Sequence, residues 1–231
     1  GHHDYEHILC FSYVYYSDDE GETWQRNDGK GAGGSGGELL VNLDQSAGGH
    51  HSAEEPVAAE VSPDHHLLLL RTPLGRFYQS WSRDDGRTWT APEPTALASS
   101  RAPAALAGIP GTDDLLVVWN QASADEIARG RQRLRLSCAI SRDGGATWRH
   151  GRNLFNAREG DVTCVEPPPI QCYRSMERSP RLPPDDLEAT YPSVAFWRDR
   201  AVIVYGCRER SYMAIDEGTR WVTRQGVYTQ V

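Results

Sequence analysis

The sequence lacks several features that would place it in a common functional class. No segment resembles a membrane span, and the five cysteines form no CxxC pair or zinc-type spacing, so we expect neither a bilayer segment nor a metal site. The net charge of −8 argues against nucleic acid or an anionic membrane as the main partner. The glycines of residues 28–37 are too irregular for a phosphate-binding loop, and we expect no cofactor.

The sequence also lacks a long helical period, and what it has instead is an internal repeat. The octet Ser-x-Asp-x-Gly-x-Thr-Trp recurs at intervals of about 60 residues, which indicates copies of one supersecondary unit. The three copies are Ser17, Asp19, Gly21, Thr23 and Trp24; Ser82, Asp84, Gly86, Thr88 and Trp89; and Ser141, Asp143, Gly145, Thr147 and Trp148. An eroded fourth copy keeps Asp216, Gly218 and Trp221.

Each octet is interpreted as a structural turn. The aspartate and the hydroxyl groups bond the groups of the turn, and the glycine adopts a positive φ. The tryptophan is expected to lie buried between adjacent sheets, with its indole N–H bonded.

Short strands surround the octets. The second unit predicts strands at residues 55–62, 66–72, 75–82 and 88–92, and the third at 102–109, 114–120, 133–141 and 146–149. Four antiparallel strands per repeat predict an all-β fold, a β-propeller, with apolar runs 67–70 and 115–118 as inner strands packed on both faces. The chain is interpreted as one domain, 1–231, with units at about 1–50, 51–98, 99–160 and 185–231.

The Pro-rich connection at residues 156–189 has two possible interpretations. Connections this long are usually functional or disordered, and the sequence favours neither. Within it, Cys164 and Cys172 are compatible with a disulfide in a secreted protein or with a reduced pair. Localisation therefore stays open, and a secreted or periplasmic protein fits the sequence.

These motifs resemble the Asp-box (BNR repeat) sialidases, which are six-bladed β-propellers that hydrolyse terminal sialic acids. Glu55 and Arg71 match the glutamate that opens one family strand and the arginine that closes the next. Arg133, eight residues before Ser141, matches a second substrate arginine, and Tyr191 in Thr-Tyr-Pro-Ser-Val matches the nucleophile. The resemblance implies about four of the six blades.

The resemblance implies a retaining exo-sialidase mechanism acting on sialic acid or a related 2-keto-3-deoxy sugar acid. A neutral tyrosine avoids the repulsion that an anionic nucleophile meets near the sugar carboxylate. Glu55 would accept the phenolic proton, which offsets a phenol pKa of about 10. Arg71 and Arg133 would bind the carboxylate through charge-assisted hydrogen bonds. Asn120 is a further candidate sugar contact, with a strand-end cap as its alternative role.

Other assignments remain open for the same residues. Glu54 or Glu60 could be the pocket carboxylate, Arg71 could pair with a neighbouring acid, and Tyr191 could be a packing residue. Arg133 belongs to a basic cluster that could be a solvated loop. The other members of that cluster are Arg129, Arg131 and Arg135. A non-catalytic propeller that binds glycan or protein is therefore the second function class.

The chain also departs from the family pattern. The first substrate arginine and the acid/base aspartate belong to early blades, so we expect the chain to be incomplete at its N-terminus and poorly active alone. Asp4 is a weak candidate for the acid, and Gly206 stands near the place of a family glutamate, with Glu209 beyond. Open blade faces would favour self-association.

Overall fold

The computed structural model describes residues 10–27, 37–43, 50–129, 131–156, 164–173, 187–212 and 219–230. Within these ranges the chain forms fifteen strands and one short helix. The first half contains β1 (Tyr15–Tyr16), β2 (Gln25–Arg26), β3 (Val41–Asn42), β4 (His50–His51), β5 (Glu54–Ser62), β6 (His65–Arg71), β7 (Arg76–Ser82) and β8 (Glu93–Ala98). The second half contains β9 (Ala105–Gly108), β10 (Leu115–Asn120), α1 (Ala124–Ala128), β11 (Arg135–Ser141), β12 (Arg149–Asn156), β13 (Leu187–Trp197), β14 (Arg200–Tyr212) and β15 (Thr219–Gln230).

The strands form consecutive antiparallel sheets. β5 to β8 and β9 to β12 form two four-stranded sheets in chain order, and β13 to β15 form a three-stranded sheet. Two small two-stranded sheets, β1–β2 and β3–β4, precede them. The first strand of each large sheet contacts the first strand of the next, β5 with β9 and β9 with β13. Sheets that radiate from adjoining first strands are the blades of a β-propeller, so the predicted all-β fold class is confirmed.

Apolar strands packed on both faces hold the sheets together. In β6, Leu67 and Leu69 pack against the β9–β12 sheet, whereas Leu68 and Leu70 pack against Val41 and its neighbours on the other side. This alternation follows from the two-residue period of a strand. β10 repeats the pattern. Leu115 and Val117 pack in the core that contains Leu67 of β6, whereas Leu116 and Val118 pack in another core with residues of β14. The predicted role of the two apolar runs is confirmed.

The octets form the turns that were expected. In the second copy the Gly86 N–H donates to Ser82 Oγ (2.8 Å), and the Thr88 N–H and hydroxyl donate to the two oxygens of Asp84 (2.8 and 2.6 Å). The other two copies contain the same bonds. The turns join the third strand to the fourth at the end of the sheet where β6 begins, because His66 pairs with Ser82.

The octet tryptophans differ in burial because each octet packs on the preceding sheet. Trp89 is 5% exposed in the core shared with Val41, its N–H donates to the Gly86 carbonyl (2.9 Å), and Trp148 packs beside the core that contains Leu67. The Trp148 N–H is buried without a partner among the described residues, unlike the bonded N–H that was expected. Trp24 is 63% exposed, so its expected burial is wrong, because no described sheet precedes its own.

The predicted fourth strands begin too early in the sequence. β8 begins at Glu93 and β12 at Arg149, whereas strands had been expected from residues 88 and 146. The octet keeps its threonine and tryptophan in the turn, so the chain re-enters the sheet only after the tryptophan. The five-residue helix α1 was not predicted, and it is the only helix in the described ranges, far too short to cross a bilayer.

Candidate functional site

One end of the sheets gathers the residues that the sequence singled out. Glu54, which opens β5, pairs with Arg71, which closes β6. β5 and β9 run side by side in one direction, since Glu54 bonds Arg101 just before β9 and the Glu60 carbonyl lies close to Gly108 at the end of β9. We call the end where β5, β9 and β13 begin the site end. The octets lie at the opposite end.

Glu55 and Tyr191 occupy equivalent positions in two different sheets. Each precedes a proline near the start of a first strand, at a register shift in the pairing with the second strand. Each has a left-handed backbone, with φ of +40° for Glu55 and +51° for Tyr191. The corresponding residue of the third unit, Ala102, has no positive φ. Non-glycine residues held in this region carry strain, and such strain clusters at functional sites.

Arg71 lies between two carboxylates. Its Nη1 donates to Glu55 Oε2, and its Nε is 3.6 Å from Glu54 Oε2. The Glu55 side chain is 41% exposed, whereas those of Glu54 and Arg71 are mostly covered. Of the alternative carboxylates, Glu54 thus lies at the site end with Glu55, and Glu60 pairs with His66 at the other end of the sheet. Arg71 does pair with neighbouring acids, but those acids are the candidate site residues.

Arg133 and Tyr191 are in contact. The Arg133 guanidinium lies over the Tyr191 ring, 5.4 Å from its centroid, and donates to the Thr190 hydroxyl. The Arg133 carbonyl accepts from the Ala189 N–H at 2.9 Å, which ties the start of β11 to β13. Tyr191 is 58% exposed, so its ring is not packed in a core.

The basic cluster around Arg133 divides into separate roles. Arg135 is buried and forms a bidentate pair with Glu126 of α1, at 2.8 and 3.2 Å. Arg129 forms an exposed pair with Asp125, one turn earlier. Arg133 is the member of this cluster that contacts the candidate nucleophile.

Asn120 is fully buried next to these residues. Its amide donates to the carbonyls of Arg135 (3.2 Å) and Ala189 (3.0 Å), which suits the strand-end cap. Gln121, one residue on, donates to Ser137 Oγ and accepts from the Val165 N–H. Contact between Asn120 and a sugar stays a prediction that this arrangement does not favour.

An open pocket of about 450 Å³ lies on the β5 side of the site end. It is lined by Cys10, Phe11, Ser12, Tyr13, Ala53, Glu54, Glu55 and Pro56. Its volume falls within the range of small-molecule sites. Glu54 and Glu55 line this pocket, whereas Arg71, Arg133 and Tyr191 are not among its lining residues.

Part of the long Pro-rich connection is docked at the same end. Residues 164–173 pass from the Val165–Gln121 contact to the β6–β7 hairpin, where Arg76 donates to the Pro168 carbonyl and the Tyr173 N–H donates to the Pro73 carbonyl. Cys164 and Cys172 are free, exposed thiols. Residues 157–163 and 174–186 of the connection lie outside the described residues, as do Asp4, Asp216 and Gly218 and the side chains of Glu209 and Trp221.

Sequence reasoning missed Arg101 and Thr190. Arg101 forms a two-point ion pair with Glu54, and Thr190 accepts from Arg133. Together with Glu54 they occupy equivalent positions, two residues before the proline in Glu-Glu-Pro, Arg-Ala-Pro and Thr-Tyr-Pro. Alignment of those three segments is the signal that could have identified both.

The fold and the octets define an Asp-box propeller. The profile of the BNR repeat-like domain matches residues 8–204, and the chain belongs to that family. A comparison with curated protein sequences found no match.

Solved structures show where the same fold occurs. NanB, a sialidase of Streptococcus pneumoniae, matches with a TM-score of 0.51 at 11% identity, over 94% of this chain and 27% of that chain. Trypanosoma rangeli sialidase in complex with sialic acid gives 0.50 at 14% identity, over 92% and 26%. A protein of unknown function from Dyadobacter fermentans gives 0.51 at 16%, over 95% and 45%. The chain has a sialidase-like fold and spans less than half the length of these proteins.

Proposed function

We propose that this chain carries the nucleophile and the carboxylate-binding residues of a sialidase-type glycoside hydrolase. Tyr191 Oη attacks the anomeric carbon of a terminal sialic acid or related 2-keto-3-deoxy sugar acid, while Glu55 takes the phenolic proton. The glycosidic bond breaks as the tyrosyl bond forms, and a general acid protonates the leaving oxygen. Water then releases the sugar with retention of configuration.

The observation that supports this proposal most strongly is the shared backbone strain of Glu55 and Tyr191. The two residues that would carry the chemistry have a left-handed backbone just before a proline, and Ala102 at the same place does not. Both side chains are also substantially exposed at the same end of the sheets.

Carboxylate recognition is assigned to the two arginines. Arg133 already stacks on Tyr191, so a carboxylate bound there lies next to the nucleophile. Arg71 holds Glu55 through Nη1, and a substrate carboxylate would take the place of Glu55 on that nitrogen. The exchange would free Glu55 to accept the phenolic proton.

Tyr191→Phe in the natural full-length protein tests the proposed chemistry. The variant should lose turnover of a fluorogenic sialoside by roughly 10³-fold or more, as when the nucleophile is removed from other enzymes. It should still bind a 2,3-unsaturated sialic acid analogue, because the arginines are intact. Tyr15→Phe, which removes the hydroxyl of an exposed tyrosine on β1, is the matched control and should keep full turnover. Undiminished turnover by Tyr191→Phe would show that the nucleophile lies elsewhere.

A non-catalytic propeller that binds a glycan through the same end is the second candidate. It is favoured by the Arg71–Glu55 ion pair, which keeps the candidate base bonded to an arginine in the structure. Under this alternative the natural full-length protein binds the sialic acid analogue but shows no turnover, and Tyr191→Phe leaves binding unchanged. Self-association through open blade faces stays a prediction that size measurement in solution would test.

A further inference from the structure

Arg71 has an unfavourable charge environment for an anion-binding residue. Two carboxylates, those of Glu54 and Glu55, lie against its one guanidinium, so the three groups carry a net negative charge. The net negative charge of these three groups would repel an incoming sugar carboxylate. A fourth group is needed before Arg71 can attract an anion.

Arg101 supplies that fourth charge. Its Nη2 donates to Glu54 Oε1, and its Nε lies 3.4 Å from Glu54 Oε2, so the guanidinium faces the carboxylate with two nitrogens. Two-point pairs of this kind are the stronger arginine–carboxylate contacts. Burial lowers the pKa of Arg101. The hydrogen bond and the charge of Glu54 raise it, as do smaller contributions from Cys10 and Cys172. Together these outweigh burial, so the pKa of Arg101 is raised. The pair is mostly covered from solvent, so water screens it little.

Glu54 is closer to Arg101 than to Arg71. The distance from Arg71 Nε to Glu54 Oε2 is 3.6 Å, too long for a hydrogen bond, and this buried N–H has no other partner among the described residues. The partner that Arg71 does hold is Glu55, whose side chain is 41% exposed. Arg71 therefore has unused donor capacity on the side facing Glu54.

We propose that Arg101 is a positioning residue that holds Glu54 away from Arg71, so that Arg71 can exchange Glu55 for the carboxylate of a bound sugar acid. The inference rests on the proposed function, because it concerns the same carboxylate. Without Arg101, Glu54 would move towards Arg71 and accept a hydrogen bond from its Nε. The two glutamates and Arg71 would then carry a net negative charge. Loss of Arg101 would then weaken binding through Glu54, although Arg101 itself touches no ligand.

Calorimetry tests whether Arg101 acts through Glu54. The measurement is binding of a 2,3-unsaturated sialic acid analogue by the natural full-length protein. Arg101→Met should bind about 10- to 100-fold more weakly, the effect of a hydrogen-bonded charge. The double variant Arg101→Met/Glu54→Gln should return to within about threefold of the wild type, because the uncompensated carboxylate is gone. Arg142→Met removes an exposed arginine paired with Asp114 at the octet end, and should bind as the wild type does.

The outcomes separate this inference from the proposed function. A wild-type protein that does not bind the analogue overturns both. Equal binding by wild type and Arg101→Met overturns the role of Arg101 alone, and so does weak binding that Glu54→Gln fails to rescue. If thermal melting shows that Arg101→Met is unfolded, the single variant Glu54→Gln decides. It should bind the analogue at least as tightly as the wild type does. A tenfold loss of affinity would refute the role proposed for Arg101.

Discussion

Replacing Trp89 by alanine tests whether the octet tryptophan holds one sheet on the next. Trp89 and Trp24 stand at the same place in their octets, and each donates its indole N–H to the carbonyl of the octet glycine, at 2.9 and 3.0 Å. They differ in burial, since Trp89 is 5% exposed and Trp24 63%. Trp24→Ala is therefore a matched control in which the turn bond is lost but little packing is.

The expected difference follows from the buried area. A tryptophan side chain of roughly 200 Å², at about 25 cal/mol per Å², gives about 4–5 kcal/mol for Trp89 and about 2 kcal/mol for Trp24. The first value falls within the range of roughly 3–5 kcal/mol for large-to-small changes at buried aromatics. The difference of about 3 kcal/mol depends little on the unfolded state, because it compares two tryptophans of one chain.

Thermal melting followed by circular dichroism measures the effect. For a chain of this size, about 3 kcal/mol corresponds to a melting temperature lower by about 6–12 °C for Trp89→Ala than for Trp24→Ala. At temperatures well below the melting transition, the two variants should bind the sialic acid analogue equally, because the octets lie at the end of the sheets opposite the site end. Equal melting temperatures would show that sheet-to-sheet packing does not depend on this tryptophan.

Two further predictions concern the octets. Gly145→Ala should be destabilising by about 1–3 kcal/mol more than Gly111→Ala in a chemical denaturation series, because both have positive φ but only a Cβ at Gly145 would meet Leu67 of the preceding sheet; equal losses would contradict the packing argument. For Asp84, burial acts to raise the pKa, but the hydrogen bonds from Thr88 and other contacts outweigh it and hold the pKa below 3.8. Its contribution to stability is therefore present above that pH and lost as the pH falls through the lower folded-state pKa. Asp84→Asn should lower the melting temperature at neutral pH and flatten its decline in acid, and an unchanged decline would contradict this linkage.

The blade pattern was predictable because the octet and the apolar runs are local in sequence. Leu67–Leu70 alternates between two cores simply because a strand presents successive side chains to opposite faces, and the run had to be covered on both. The start of β8 was not predictable from propensity, because the octet bonds hold the chain in the turn beyond Thr88. The helix α1 was missed although Ser123 and Glu126 form a capping box, because five residues leave no helical period to detect.

The candidate site was predictable in its residue types and less so in its connections. Glu55, Arg71, Arg133 and Tyr191 stand in motifs with a recognisable order, and the structure brings Glu55 to Arg71 and Tyr191 to Arg133. Arg101 could be found only by aligning Arg-Ala-Pro with the other two strand starts, and that alignment does not reveal its ion pair with Glu54 of the neighbouring sheet. The left-handed backbone of Glu55 and Tyr191 likewise gave no signal in the sequence.

The octets of the β5–β8 and β9–β12 sheets each pack on the sheet before them, and this gives the fold a direction along the chain. Gly145 and Trp148 rest on Leu67 and its core, and Trp89 rests on Val41 and its neighbours, all of which precede them in sequence. A ribosome delivers these residues in the same order. When an octet emerges, the surface that its tryptophan covers has already been synthesised, so each blade can complete its predecessor without waiting for its successor.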